Sequence, residues 1–189
     1  MGSFGENFFL NFLKLKNRFR AGAWPLFRVP TQKETLSSVL LCFPEKEANL
    51  KKYQVTVRQL VTLFPEARFA VVLHRSQLNT LTLPPETAVF VYDERDFSHF
   101  GVLKKSWQAA LPPGLSLTID LNTSDSLWSA YLCHSTGAPL RVTFEKERAG
   151  YFFNIILRSR TGASFSEKME QLIQSIRALT ETQQNWLLE

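Results

Sequence analysis

Residues 36–73, LSSVLLCFPEKEANLKKYQVTVRQLVTLFPEARFAVVL, decide the fold. The run from Ser37 to Phe43 is short, apolar and rich in strand formers, with polar residues at its edges, as in a strand buried on both faces. Over residues 47–64, Leu50, Tyr53, Val57, Leu60, Val61 and Phe64 recur at intervals of three and four and stop before Pro65. That spacing predicts a helix of about five turns. Arg68–Leu73 then reads as a second buried strand. A strand, a helix and a strand of this length form one crossover unit, which points to a parallel sheet.

The rest of the chain continues the alternation. AVFVY at 88–92 is a third strand, following the Pro84-Pro85 turn. Residues 98–111 place Phe100, Leu103, Trp107, Ala110 and Leu111 on a helical face, closed by Pro112-Pro113-Gly114. LSLTIDL at 115–121 is a fourth strand. Ser124 or Asp125 can cap a helix carrying Leu127, Trp128, Tyr131 and Leu132, ended by Gly137. PLRVTF at 139–144 is a fifth strand, while YFFNIIL at 151–157 fits either a strand or a helix. Ser164 to about Leu179 is a helix with Phe165, Met169, Leu172, Ile173, Ile176 and Leu179 on one face. The expected architecture is a Rossmann-like three-layer α/β/α domain with a mainly parallel sheet of five or six strands, spanning 31–189. In such sheets ligands sit beyond the carboxyl ends of the strands, which directs attention to the loops at 44–50, 74–79, 93–96, 122–125 and 145–148.

Composition agrees with a folded domain. Of 189 residues, 44% are hydrophobic and 13% aromatic, enough to fill a core. The net charge of +5 is too small to imply nucleic acid. Cys42 and Cys133 each sit among apolar neighbours, far apart, and read as buried thiols rather than a disulfide framework or a zinc site. A reducing cytosol fits such cysteines.

Residues 1–30 read as an amphipathic helix and a linker marked by Pro25 and Pro30. Within 4–20, Phe8, Phe9, Phe12, Leu13, Leu15 and Phe19 fall near helical spacing, interleaved with or followed by Lys14, Lys16, Arg18 and Arg20. A signal peptide would carry its charges first, so secretion is not expected. Two roles stay open. The Phe-rich face can pack on the domain, a second copy or a partner, or the helix can lie on an anionic membrane with its cations at the head groups. Each cation would then contribute about 1 kcal/mol. The expected location is cytoplasmic, with peripheral attachment to the inner membrane as the second of these roles.

Three motifs in order carry a family resemblance: FPEARFAVVL, then VFVYDERDFSHFGVLKKSWQAAL, then LTIDLNTSDSLWSAYLCHSTGAPLRVTF. Over roughly residues 36–145 the chain resembles the amino-terminal domain of the heptosyltransferases of glycosyltransferase family 9, which add heptose to the inner core of lipopolysaccharide. The matching steps are Phe64-Pro65-Glu66-Ala67, Tyr92-Asp93, Ile119-Asp120-Leu121 and Gly137-Ala138-Pro139-Leu140-Arg141. The resemblance implies a sugar or sugar-phosphate ligand. Two departures bear on activity. The family's catalytic aspartate falls at Asn49, and an amide side chain has no basic form near neutral pH. The family's donor-binding carboxyl-terminal domain also has no counterpart in these 189 residues.

The expectation is therefore a non-catalytic, glycosyltransferase-like binding or accessory domain, the alternatives being half of a split transferase and a pure interaction module. Candidate ligand contacts are Asn49, Asp93, Asp120, Asn122, Thr123, Ser124 and Arg141. No catalytic residue, metal ligand or cofactor is assigned. Between Phe43 and Leu50 there is no glycine, which argues against an ordinary dinucleotide or ATP loop. His74, His99 and His134 lack the spacing of a zinc motif or a hydrolase triad.

Overall fold

The buried run at the start of the domain becomes β1, Ser38–Cys42, at the heart of a six-stranded sheet. The computed structural model describes residues 36–45 and 50–185; the amino-terminal helix expected at 4–20, with Lys14, Lys16, Arg18 and Arg20, lies outside them, as does Asn49. The remaining strands are β2 (Arg68–His74), β3 (Ala88–Tyr92), β4 (Leu117–Asp120), β5 (Leu140–Phe144) and β6 (Ile155–Leu157). Their spatial order is β3-β2-β1-β4-β5-β6 and every pairing is parallel. The helices are α1 (Gln54–Leu63), the short α2 (Lys105–Gln108), α3 (Leu127–Ser135) and α4 (Phe165–Asn185). This is a Rossmann-like α/β/α arrangement, with β1 and β4 flanking the point where the chain reverses its direction of travel across the sheet.

Period-two alternation splits each central strand between two cores. Val39 and Leu41 of β1, Val71 and Leu73 of β2, and Leu117 and Ile119 of β4 face one layer. There they meet Leu50, Tyr53, Val57 and Leu60 of the α1 region and Met169, Leu172, Ile173 and Ile176 of α4. Leu40, Cys42, Ala70, Val72 and Tyr92 face the other layer, under Trp128, Leu132 and Cys133 of α3 and under Phe152 and Phe153.

Local chemistry sets the boundaries. In α4, the Ser164 hydroxyl accepts from the Glu167 amide at 3.3 Å and the Glu167 carboxylate accepts from the Ser164 amide at 2.7 Å, a reciprocal cap. Gly137, with φ of 71°, ends α3 in the left-handed region where a Cβ would be strained. The outer edge of β3 is covered where the Trp107 indole donates to the Val91 carbonyl at 3.0 Å, which blunts an otherwise apolar edge strand.

Three expectations change. The helix expected at 98–111 is mostly absent: Phe97 and Leu103 form an antiparallel bridge around a turn through Gly101, φ 71°, and only Lys105–Gln108 is helical. Burial of Leu103 in the core on the α3 side of the sheet outweighs local helical spacing. The helix expected over 47–64 enters, within the described residues, through a 3-10 turn at Leu50–Tyr53 before α1 proper. Neither Ser124 nor Asp125 caps α3; Ser126 is the cap residue, and its side chain makes no capping bond. The ambiguous segment resolves as a 3-10 turn, Ala149–Tyr151, followed by β6, because Ile155 to Leu157 pair with β5.

Candidate functional site

β1 leads into α1 on one face of the sheet, and β4 leads into α3 on the other. Their connections diverge, and a cleft of about 470 Å³ opens beyond their carboxyl ends. This volume lies within the usual range for small-molecule sites, about 300–1,000 Å³. One wall is Pro44 and Glu45, the other is Asn122 to Trp128, and Tyr53 and Gly101 complete it.

Each wall is held by a buried polar anchor. Gln77, 4% exposed, donates from Nε2 to the carbonyls of Pro44 (2.8 Å) and Glu45 (3.1 Å), while its Oε1 accepts from the His74 amide (3.1 Å). The His74 ring in turn accepts from the Ser76 amide, so the turn after β2 is closed at both ends and braces the exit of β1. The opposite wall rests on Asp120, which is fully buried. Its Oδ1 accepts from the Asn122 amide (3.1 Å) and from Asn122 Nδ2 (2.6 Å). Its Oδ2 accepts from Ser129 Oγ (3.1 Å) and Lys146 Nζ (2.7 Å). Asn122 also donates to Ser129 Oγ at 3.2 Å, so the turn out of β4 is tied to the first turn of α3. A buried carboxylate with this many donors satisfies the rule that buried charge must be paired and hydrogen-bonded.

The sequence candidates thus separate into distinct places. Asn122, Thr123 and Ser124 line the cleft together, Thr123 and Ser124 exposed and Asn122 buried. Asp120 lies beneath the cleft rather than in its lining, with both oxygens engaged. Asp93 stands apart, at the end of β3. Arg95 binds it through its amide (3.0 Å), Nε (3.3 Å) and terminal nitrogen (2.7 Å), and Arg75 approaches at 3.3 Å. The hydrogen bonds from the Arg95 side chain and amide hold the Asp93 carboxyl down at about 2. Arg141 lies toward the amino end of β5, two positions before Thr143, the residue in register with Asp120. Its guanidinium donates to the carbonyls of Phe152 (2.8 Å) and Ala138 (2.7 Å), fastening the end of α3 to the turn before β6. Desolvation lowers its pKa from that of a free guanidinium.

Glu45, Gln77, Trp128, Ser129 and Lys146 are not among the candidate contacts that the sequence offers. Glu45, Gln77 and Lys146 do fall within carboxyl-end loops, and His74-x-x-Gln77 has the spacing of a capping pair, the one sequence signal that could have found Gln77. Nothing in one dimension pairs Lys146 with Asp120, 26 positions earlier.

The cleft can offer the hydroxyls of Thr123 and Ser124 and the carboxylates of Glu45 and Asp125, while Tyr53 and Trp128 border it from within the two cores. Among the described lining residues there is no His, Cys, Lys or Arg. Among the described residues no three His, Cys, Asp or Glu side chains gather as a metal-binding group, and no helix is long and apolar enough to cross a membrane. No family model, curated protein or solved structure matches the chain.

Proposed function

We propose that this domain binds a carbohydrate in the cleft between the ends of β1 and β4 and does not itself transfer a sugar. The observation that carries this reading is the lining: the exposed hydroxyls of Thr123 and Ser124 and the exposed carboxylate of Asp125, with the half-buried Glu45 carboxylate on the other wall. Carboxylates accept hydrogen bonds from sugar hydroxyls, and side-chain hydroxyls both donate to and accept from them. With Glu45 and Asp125 present and no cation among the described lining residues, a hydroxyl-rich ligand is favoured over a phosphate at this part of the site. The resemblance to the heptosyltransferase amino-terminal domain adds the ligand class, a heptose-containing inner-core fragment.

Two points support binding without catalysis. Asn49 stands where the resembled family has its aspartate base, and Asp120, which accepts four hydrogen bonds, lies buried beneath the cleft outside its lining. Ligand-observed NMR of the full chain against lipopolysaccharide inner-core fragments and nucleotide sugars tests the reading. Fragment signals should broaden and recover in Asp125→Ala; transfer of sugar from any nucleotide donor, or binding of donors alone, overturns it.

Residues 4–20 are proposed as a peripheral attachment to the cytoplasmic face of the inner membrane, supported by the four cations interleaved with or following their Phe-rich positions. Replacing Lys14, Lys16, Arg18 and Arg20 together by Gln should abolish cosedimentation with anionic vesicles. Cosedimentation unchanged in that variant would overturn the role of the cations, and a full chain that stays in the supernatant would leave the Phe face as a protein contact.

A further inference from the structure

Behind the cleft, the two cysteines of the chain meet. Cys42 ends β1 and Cys133 lies in α3, 91 positions later, yet their Sγ atoms are 3.6 Å apart. Both are free thiols and both are 0% exposed. Each is joined by a short stretch of chain to one wall of the cleft: Cys42 through Phe43 to Pro44 and Glu45, Cys133 along α3 to Leu127 and Trp128. A single buried cysteine is fully explained as a small apolar filler. Two that arrive from different layers place each sulfur 3.6 Å from the only other thiol in the chain, against about 2 Å in a disulfide.

We propose that Cys42 and Cys133 form a redox modification site, in which a peroxide converts the dithiol to an intramolecular disulfide that fastens β1 to α3 directly behind the cleft. One thiol gives up its proton, and its sulfur attacks the peroxide; the O–O bond breaks, leaving a sulfenic acid and, from hydrogen peroxide, hydroxide that takes up that proton as water. The second sulfur then attacks the sulfenic sulfur, its proton leaving with the departing hydroxide as a second water. In sum, two thiols and one hydrogen peroxide give one disulfide and two waters, the sulfurs being oxidised and the peroxide oxygens reduced.

The closed molecule protects the reduced form. The hydrogen bond with Cys133, followed by burial and the nearby Asp120 carboxylate, raises the Cys42 pKa well above that of an ordinary thiol, and the thiolate is the reactive species. Oxidation therefore proceeds through transient separation of α3 from the sheet, and the disulfide records that opening. Once formed, it closes a loop of 91 positions and restrains both walls of the cleft.

The test uses the full chain and requires no sugar ligand, so it stands or falls separately from the carbohydrate reading. The protein is treated with graded hydrogen peroxide, quenched with catalase, denatured, alkylated with N-ethylmaleimide, and read by intact mass and non-reducing peptide mapping. The expected product is monomeric, has lost two hydrogens, takes up no maleimide, yields one peptide pair linking Cys42 to Cys133, and reverts with dithiothreitol. Its thermal midpoint should exceed that of the reduced chain by several degrees. Persistently alkylatable thiols, oxygen adducts without a cross-link, or a disulfide between two chains would each overturn the proposal. A cross-linked product that unfolds no later than the reduced chain would overturn the fastening role.

Discussion

The two faces of the sheet are built differently from the same strands. On the face covered by α1 and α4, the inward residues of β1, β4 and β5 are Val39, Leu41, Leu117, Ile119, Leu140, Val142 and Phe144, all apolar. On the face covered by α3, the alternate positions of β4 and β5 include Thr118, Asp120 and Thr143, each 0% exposed. The first face has only volume to match. The second carries a buried charge pair and its hydrogen bonds directly below the cleft, where the position of one turn matters. The apolar face stabilises the fold, and the polar face fixes the shape of the site.

The largest expected effect attacks the polar face. Lys146→Met removes the partner of a fully buried carboxylate and should cost about 3–5 kcal/mol in chemical denaturation, because the remaining charge is uncompensated. Adding Asp120→Asn should recover much of that loss; a double variant as unstable as the sum of the singles would break the comparison. On the apolar face, Leu172→Ala should cost about 2–5 kcal/mol through a cavity and lost burial. It should leave ligand binding in the cleft unchanged once the chain is folded, whereas Lys146→Met should weaken binding by displacing the turn at Asn122.

Smaller effects sharpen the contrast. The hydroxyl of Thr143 is buried and has no hydrogen-bond partner, so Thr143→Val exchanges an unsatisfied group for a methyl of similar shape. A gain of about 0.5–1 kcal/mol in denaturation is expected; a loss would mean that the polar face depends on that hydroxyl. The smallest effect lies outside both layers, at Asp93. Its carboxyl is held at about 2, below the ordinary aspartate value of 3.8, by Arg95. A carboxyl with a lower pKa in the folded than in the unfolded chain stabilises fully above the unfolded value, and that contribution disappears as pH falls through about 2. NMR titration should give an Asp93 midpoint near 2, rising toward the ordinary value in Arg95→Ala.

Much of the fold was legible because buried parallel strands are continuous apolar runs. SVLLC and RFAVVL stand out as such runs, AVFVY is equally apolar although it forms the half-exposed edge strand, and α4 shows an uninterrupted helical stripe. The segment at 98–111 misled for the same reason: Phe100, Leu103 and Trp107 satisfy helical spacing, but Leu103 is buried in the core and Trp107 bonds to β3, with Gly101 permitting the turn before them. The site was partly legible. Asn122, Thr123 and Ser124 follow a strand end, where clefts form in such sheets, whereas Asp93 and Arg141 are polar for local reasons, one gathering arginines and the other tying carbonyls.

The sequence by itself determined the alternation of strands and helices, the two-sided burial of the central strands and the loops in which a ligand site could lie, because periodicity and turn residues are local properties. Only the tertiary structure decided which loops became walls of one cleft, that Lys146 neutralises Asp120, that Gln77 braces the exit of β1, and that Cys42 touches Cys133. These are contacts between residues distant in the chain, set by strand order and helix placement, and no short window of sequence contains both partners.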